Sequence, residues 1–427
     1  MDWKSRRARA HAGPGDAAES LEELAELAAS AGAVIAGRLI QSRDAPEAAT
    51  LIGQGKVQEL AQLGQSLDAG LVIFDQDLTP TQQRNLEKEL AGRVIDRTQL
   101  ILDIFARRAR TREGRLQVEL AQLNYMLPRL TGRGIEMSRL GGGIGTRGPG
   151  ETQLETDRRR IHRRIKKIEE DLDSVRAGRA LHRRKRHAVP LPTIALVGYT
   201  NAGKSTLFNR LAQATVLTDA RMFATLDPTV RPVTLPSRRR VLVSDTVGFI
   251  GNLPTTLVRA FRATLEEVTD ATLILHVVDV SAPHATAQTG HVLKVLAEID
   301  AAAIPQLLVL NKVDRLPEAG TDVEAYRRRL LGDAGAAAES RAVAVSALTG
   351  QGIDGLLAAI DEVLPFDPIV RVRLRLPLGE GARTSMVHDL GRVLETSYVG
   401  DWCEMEVEIP ESLRQRLAAF IKMEGGL

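Results

Sequence analysis

The stretch TIALVGYTNAGKSTLFNRL (residues 193–211) decides the fold of this 427-residue chain. It joins a short apolar run, a G-x-x-x-x-G-K-S loop and the apolar-periodic start of a helix, the context of a phosphate-binding loop. Gly198 and Gly203 let the backbone wrap closely, so that its amides and the helix N-terminus point at a β-phosphate. A Gly-rich turn that binds nothing is the alternative, and the motifs that follow weigh against it.

Within this loop, Lys204 is predicted to reach the β- and γ-phosphates, and Ser205 to give a hydroxyl ligand to Mg²⁺. The residues expected to contact the nucleotide here are Gly198, Tyr199, Thr200, Asn201, Ala202, Gly203, Lys204 and Ser205.

Three more motifs follow in order, each at the end of a predicted strand. VLVSDTVG (241–248) places Asp245 to hold Mg²⁺ through water and Gly248 to turn toward a γ-phosphate. LLVLNKVD (307–314) ends in Asp314, whose carboxylate can accept from the ring N–H and the exocyclic amine of guanine, a donor pair that adenine lacks. AVAVSALTG (342–350) offers Ser346 and the Ala347 amide near the guanine O6. The predicted contacts are Asp245, Thr246, Val247, Gly248, Asn311, Lys312, Val313, Asp314, Ser346, Ala347 and Leu348.

Together these motifs predict GTP/GDP binding by an α/β P-loop domain with a mostly parallel sheet and helices on both faces. Between the first two motifs, ARMFATLDPTVRPV (220–233) is the region of the first switch loop. Thr225 and Thr229 are both candidates for the hydroxyl that joins Mg²⁺, and spacing does not decide between them. Both could instead be turn or capping residues. The residues expected near the nucleotide are Phe223, Ala224, Thr225, Leu226 and Asp227.

Composition narrows the class of protein. The net charge of +3 and the 26% of charged residues are ordinary for a globular chain. The single cysteine, Cys403, fits a cytosolic setting. No apolar core follows the basic N-terminus, and no run reaches the roughly 18 apolar residues of a membrane helix. We therefore expect a cytoplasmic protein without a membrane anchor, and a monomer in solution.

The regions flanking the GTP-binding motifs divide the chain into five parts. We expect a small α/β domain and a long helical hairpin before the GTP-binding domain, and a small α+β module after it. Gly53-Gln54-Gly55-Lys56 lacks the second glycine of a phosphate loop at the right spacing, which favours a turn that starts a helix. The predicted parts are a disordered tail (1–16), an α/β subdomain (17–105), the hairpin (106–187), the GTP-binding domain (190–365) and the tail module (366–427).

The hairpin is strongly basic. Its helices are predicted at about 106–127 and 151–186, and residues 156–187 hold 13 Lys/Arg against 5 Asp/Glu. Such a run is often only a solvated helix face, but clustering of one sign favours phosphate-backbone binding. The tip, about 128–153, is rich in glycine and arginine. It is either a disordered linker or a probe of folded RNA, and the flanking basic helices favour the probe.

In the tail module, IVRVRLRLP (369–377) alternates apolar residues with Arg371, Arg373 and Arg375, as in a half-buried strand. A solvated arginine face is favoured there over an RNA contact. Cys403 and His276 are interpreted as core residues, because no arrangement around them supports chemistry.

Beyond the GTP-binding motifs, the chain resembles the HflX family of GTPases. The resemblance is carried by IGQGKVQEL (52–60), DRTQLILDIFARRARTREGRLQVELAQLNYMLPRL (96–130), GPGETQLETDRRRI (148–161) and FATLDPT (223–229), and it covers about residues 35–365. It implies a cytoplasmic GTPase that binds the large ribosomal subunit through rRNA and separates stalled or idle ribosomes. It also implies that Thr225 takes the Mg²⁺-linked role.

Phe249 raises a question of mechanism, because it lies where many GTPases place a water-orienting glutamine. The G-x-x-N-x-G-K-S loop resembles that of GTPases that use K⁺ beside the phosphates, although Asn201 could simply favour the turn. The residues predicted to carry catalysis are Asn201, Lys204, Thr225 and Gly248, with Ser205 and Thr225 on the metal. The alternative function is a GTP switch in rRNA maturation, ribosome assembly or tRNA modification, but no constellation for a modification reaction is visible.

Overall fold

A computed structural model describes residues 2–3, 14–90, 92–132, 149–187, 191–213, 223, 228–251, 267–316, 322–332, 341–364 and 368–421. Most of the predicted N-terminal tail, most of the hairpin tip and part of the first switch region lie outside these residues.

The N-terminal part is a small α/β unit built on two parallel strands. Strands β3 (Leu71–Phe74) and β4 (Arg93–Asp96) pair in register, and the short strands β1 (Asp2–Trp3) and β2 (Ser42–Arg43) form a second parallel pair. Its helices are α1 (Pro14–Ser30), α2 (Gln54–Ser66), α3 (Pro80–Leu90) and α4 (Arg97–Arg108). Gly53 is the N-cap of α2, so the Gly53–Lys56 stretch starts a helix, as the sequence favoured.

The helical hairpin consists of α5 (Arg112–Met126), a 3₁₀ turn (Leu127–Gly132) and α6 (Pro149–His187). The prediction of one helix from 106 to 127 was wrong at its start. α4 ends at Arg108, Ala109 is extended, and the Thr111 side chain accepts from the Gly114 amide to start α5. Leu116, Ile168 and Leu172 form the buried seam between the two helices.

The central domain is a six-stranded sheet in the order β10-β9-β8-β5-β7-β6, parallel except for the edge strand β6. This is the fold class predicted from the sequence. The strands are β5 (Thr193–Gly198), β6 (Thr229–Thr234), β7 (Arg240–Asp245), β8 (Leu273–Asp279), β9 (Gln306–Asn311) and β10 (Ala342–Ala344). The helices are α7 (Lys204–Ala212), α8 (Ala285–Glu298), α9 (Val323–Leu331) and α10 (Ile353–Val363).

The tail module is an antiparallel sheet, β11-β13-β12, covered by two helices. Its elements are β11 (Ile369–Pro377), α11 (Gly381–Leu390), β12 (Arg392–Val399), β13 (Trp402–Pro410) and α12 (Glu411–Arg416). Cys403 is buried in its core. Across the open face, Arg371 and Arg373 pair with Glu406, so this arginine row is largely neutralised by glutamates.

The N-terminal unit and the central domain share one hydrophobic core. Residues of α1, α4 and α5 pack in the same cluster as residues of β5, β8 and α8, and both Tyr199 and Phe249 belong to it. The segments that carry the predicted GTP site therefore lie directly against the N-terminal helices. Of the helices described, none has the length and apolar character to cross a membrane.

Candidate functional site

The phosphate loop lies between β5 and α7, at the carboxyl end of the central strand. Gly198 ends β5 so close to β8 that an added Cβ would lie 2.2 Å from the Val277 carbonyl oxygen. Gly203 has a positive φ of 93°, and a Cβ there would meet the Asn311 amide at 2.2 Å. No side chain fits at either position, so close packing requires both glycines, and the positive φ of Gly203 favours glycine there as well.

Lys204 and Ser205 begin α7 under this loop. The Lys204 ammonium donates to the carbonyls of Gly198 (3.1 Å) and Tyr199 (2.7 Å). Burial is the main reason that its pKa falls to about 8, against an opposing effect of Asp245. An ammonium has three donors, so these two contacts leave one for a phosphate oxygen. The Ser205 hydroxyl donates to Asp245 over 2.7 Å, so the two oxygens predicted to lie near Mg²⁺ are adjacent.

The D-x-x-G segment after β7 is held against the phosphate loop by backbone hydrogen bonds. The Thr200 amide donates to the Phe249 carbonyl (2.7 Å), and the Phe249 amide donates to the Gly198 carbonyl (3.0 Å). A Cβ on Gly248 would lie 2.8 Å from Thr200 Cα and 2.9 Å from Lys204 Nζ. Gly248 thus lies directly against the lysine, with no room for a side chain between them.

The remaining side chains of this segment are structural. The Thr246 hydroxyl donates to the Leu196 carbonyl (2.5 Å), and the ring of Phe249 is buried in the shared core. Phe249 therefore has a packing role in the core shared with the N-terminal helices. Val247 is partly buried against the same cluster.

Asn311 joins the phosphate loop to the loop after β10. Its amide donates to the Ala202 carbonyl (2.8 Å) and its carbonyl accepts from the Ala347 amide (3.0 Å). The Ala347 amide was predicted to serve the guanine O6, so a contact there must share or replace this bond. Ser346 is fully buried, and its hydroxyl accepts from the Thr349 amide (3.1 Å), which shapes the same loop.

The base-reading end of β9 presents one lysine and one carboxylate. Lys312 has a φ of 67°, and its ammonium is 2.7 Å from Asp279 at the end of β8. Asp314 follows within a short 3₁₀ turn (Val313–Arg315) and is exposed, so its carboxylate is accessible to a base, whereas Val313 is buried. Leu348, in the neighbouring loop, is 71% exposed.

Sequence reasoning missed two residues that position this end of the site. Asp279 fixes the Lys312 ammonium, and Arg210 on α7 donates to the carbonyls of Ala347 (3.3 Å) and Leu348 (2.5 Å). The D-V-S string after β8 and the helical position of Arg210 are ordinary sequence features. Their function follows only from contacts between segments that are far apart in the chain.

Only part of the first switch region belongs to the described residues, and Ala224, Thr225, Leu226 and Asp227 lie outside them. Phe223 is buried, with its ring edge-on to Phe105 of α4 at 4.6 Å between centroids. Its side chain therefore packs in the core, and its predicted place near the nucleotide stays a prediction. Thr229 begins β6 and is paired with Asp245 across the sheet.

Family models match the chain in three consecutive segments: "GTP-binding GTPase N-terminal" at 18–106, "GTP-binding GTPase Middle Region" at 108–186, and "50S ribosome-binding GTPase" at 193–312. The GTPase HflX of Caldanaerobacter subterraneus subsp. tengcongensis is 45% identical over 94% of this chain and 90% of its own length. The chain belongs to the HflX family of GTPases. It is accordingly a P-loop GTP hydrolase.

Two further relatives support membership of the HflX family. GTPase HflX of Alkalihalophilus pseudofirmus is 56% identical over 70% of each chain, and that of Escherichia coli is 44% identical over 95% of this chain and 92% of its own. Among solved structures, a GTP-binding protein from Sulfolobus solfataricus in complex with GDP is 25% identical, with a TM-score of 0.44 over 81% of this chain and 95% of that one.

The second helix of the hairpin carries the basic residues that the sequence singled out. Arg158, Arg159, Arg160, Arg163 and Arg164 are all exposed on α6. Three of them are ion-paired: Arg159 with Glu155 (3.2 Å), Arg160 with Asp157 (3.5 Å) and Arg164 with Glu119 of α5 (2.6 Å). Of these five arginines, Arg164 joins the two helices, whereas the pairs of Arg159 and Arg160 lie within α6.

Proposed function

We propose that this GTPase binds the large ribosomal subunit in the cytoplasm and uses GTP to separate stalled or idle ribosomes, with hydrolysis stimulated by the ribosome. The observation that carries the proposal is the family match over nearly the whole chain, which includes the hairpin as well as the GTP-binding domain. The exposed arginines of α6 agree with it, because binding to rRNA rests on contacts with phosphates.

The proposed nucleotide site is formed by the phosphate loop, Asp245 to Gly248, and the two base-reading loops. GTP would place its β- and γ-phosphates at the loop amides and at Lys204, with guanine at Asp314. The adjacent oxygens of Ser205 and Asp245 fit Mg²⁺, which prefers oxygen ligands and retains water molecules. Ser205 would bind the metal directly and Asp245 through water, and family resemblance gives the remaining hydroxyl to Thr225. The ion would neutralise charge on the phosphates.

Water activation needs a group other than Phe249, because its ring is buried and cannot donate or accept a hydrogen bond. We assign this help to the ribosome, which would order the switch segments, and to K⁺ held beside the phosphates by Asn201. Free in solution, the protein is expected to be a monomer with slow turnover.

The proposal is tested by sedimenting the purified protein with 30S subunits, with 50S subunits and with 70S ribosomes, each in the presence of GDP or a non-hydrolysable GTP analogue. With the analogue, we expect the protein to co-sediment with 50S subunits. When the protein and the analogue are added to 70S ribosomes, we expect 70S particles to be lost. Lys204→Ala, which lacks the phosphate-binding ammonium, is the control and should leave 70S intact. Stable binding to 50S without any loss of 70S would instead favour a role in ribosome assembly.

A further inference from the structure

A chain of polar groups runs from the D-x-x-G segment into the N-terminal unit. The Gly251 amide donates to the hydroxyl of Tyr199 (2.6 Å), and this hydroxyl donates to the carboxylate of Glu23 on α1. The other oxygen of Glu23 accepts from Arg97 at the start of α4. Arg97 also donates to the carboxylate of Asp75, which follows β3 (2.6 Å). These bonds therefore connect the phosphate loop and the D-x-x-G segment to the helices α1 and α4.

These groups are shielded from water, which fixes their geometry. Tyr199 is 9% exposed and Arg97 2%. Burial and the charge of Glu23 raise the pKa of Tyr199, so its hydroxyl keeps its proton at neutral pH. Burial alone would lower the pKa of Arg97, but Glu23 and Asp75 raise it. The tyrosine hydroxyl therefore donates its one proton to a hydrogen bond with Glu23 and accepts the hydrogen bond of the Gly251 amide. These two bonds allow a single orientation of the hydroxyl.

Gly251 is packed so closely against Tyr199 and Glu23 that it has little room to move. A Cβ on Gly251 would lie 3.0 Å from the Tyr199 hydroxyl and 3.3 Å from Glu23. Gly248 precedes it by three residues and lies against Lys204, so the path of the chain between the two glycines is fixed at both ends. A shift of the Tyr199 hydroxyl would therefore move the segment that approaches a γ-phosphate.

We propose that Tyr199 is a positioning residue for GTP hydrolysis and that Glu23 of α1 orients it, so that the N-terminal unit sets the position of the Gly248–Gly251 segment. The inference rests on the proposed location of the GTP site. A contact on the N-terminal unit that tilts α1 would be transmitted to this segment through Glu23, a route by which a bound partner can alter turnover without touching the nucleotide.

The test compares Tyr199→Phe and Glu23→Gln with wild type in steady-state GTP hydrolysis. Phenylalanine keeps the ring and removes only the hydroxyl. One hydrogen bond is worth about 0.5–1.5 kcal/mol, which corresponds to a fall in kcat of roughly 2- to 12-fold. We expect KM for GTP to change less than about twofold, because the loop amides and Lys204 remain. The double variant should lose little more than either single variant, since both act on one chain of bonds.

Glu19→Gln is the matched control. Glu19 also lies on α1 and pairs with His284 (2.9 Å) beside α8, so it joins the same two parts of the molecule through a different pair of side chains. It should lower the melting temperature less than Glu23→Gln, because the pair of Glu19 is more exposed than that of Glu23 and Arg97, and it should leave kcat unchanged.

Two outcomes would overturn the inference: wild-type kcat in Tyr199→Phe, or an equal loss of kcat in Glu19→Gln and Glu23→Gln. Failure of the underlying site would look different. If Lys204→Ala retained tight GTP binding, the location of the nucleotide would be wrong, whatever the Tyr199 result.

Discussion

Asn201 has two possible roles, and its backbone explains one of them. Its φ of 61° is in the left-handed region, which asparagine tolerates better than most residues, and its side chain is exposed. The turn alone would therefore account for an asparagine here. Removing the side chain with alanine would also strain the backbone by about 1–2 kcal/mol, whereas glycine adopts this conformation freely.

Asn201→Gly is thus the substitution that isolates the side-chain oxygen. We expect wild-type turnover to be faster in K⁺ than in Na⁺ at equal ionic strength, and Asn201→Gly to be equally slow in both salts with its GTP affinity nearly unchanged. The measurement is kcat in each salt, with and without 50S subunits. Wild-type rates that do not depend on the cation would leave the turn as the only role of Asn201.

His276 lies in β8 directly beneath the site and has no part in it. It is 1% exposed, and neither ring nitrogen has a hydrogen-bond partner among the described residues. Burial, and then the positive charge of Lys204, lower its pKa to about 4. The unfolded chain takes up a proton near pH 6.5 while the native protein does not, so stability falls as the pH drops from about 6.5 toward 4.

His276→Leu should remove this pH dependence. At pH 5 the histidine costs wild type about 2 kcal/mol relative to pH 7, from a difference of roughly 1.5 pH units at 1.36 kcal/mol each. Above pH 7, we expect the free energy of unfolding to depend on pH in the same way for wild type and variant. Below pH 6, wild type should lose stability faster than the variant as the pH falls. Urea unfolding at pH 5, 6 and 7 measures it, and parallel curves over that range would contradict the shift.

At the scale of elements, the basic helix α6 can be divided by its ion pairs. Arg159, Arg160 and Arg164 are paired with acids, whereas Arg158, Arg163 and Lys166 are exposed and form no ion pair among the described residues. An arginine that already holds a carboxylate must give it up to bind a phosphate. The unpaired residues should therefore carry more of the contact with rRNA.

Two triple variants with the same change in net charge test this division. Replacing Arg158, Arg163 and Lys166 with glutamine should weaken 50S binding and reduce the slope of log K against log salt by about 2–3, at roughly 0.7–0.9 for each lost contact. Glutamine at the three paired positions should change the slope less and lower the melting temperature more. Equal slopes for both variants would mean that the ion pairs do not partition the surface.

Elements with a regular pattern were predictable, and those set by distant partners were not. The apolar run AVIAGRLI (33–40) has a strand pattern, yet no strand forms there; a cavity of 580 Å³ lies between this segment and β3. The sequence of helix α11, GARTSMVHDL, has little helical periodicity and does not predict a helix, which is held by packing of Val387 on the tail sheet. In α11, tertiary contact overrides a weak local signal.

At the scale of the whole molecule, the sequence predicted the GTP-binding domain but not its packing against the N-terminal helices. Each GTP-binding motif follows a strand, so the carboxyl ends of parallel strands bring them together by rule. The contact between Phe105 and Phe223 joins residues more than a hundred positions apart, and no periodicity encodes it. The N-terminal helices and the GTP site therefore form one core, a result that only the folded chain reveals.

This shared core predicts how the protein unfolds. Phe105 of α4 is fully buried in the cluster that contains residues of β5 and β8, whereas Ile409 is fully buried in a separate cluster formed within the tail module. Phe105→Ala should cost about 3–5 kcal/mol and Ile409→Ala about 2–5 kcal/mol. Because cooperativity follows the shared core, the first change should lower amide-exchange protection in α4 and β8 together.

Ile409→Ala is the matched control, since it creates a cavity of similar cost in a different core. It should lower protection in β11–β13 and leave β8 and the rate of GTP hydrolysis unchanged. Native-state hydrogen exchange with mass spectrometry measures both variants, with turnover assayed on the same samples. If β8 kept its wild-type protection in Phe105→Ala, the N-terminal unit would unfold on its own. Its packing on the GTP site would then be too weak to transmit a movement of α1 to the D-x-x-G segment.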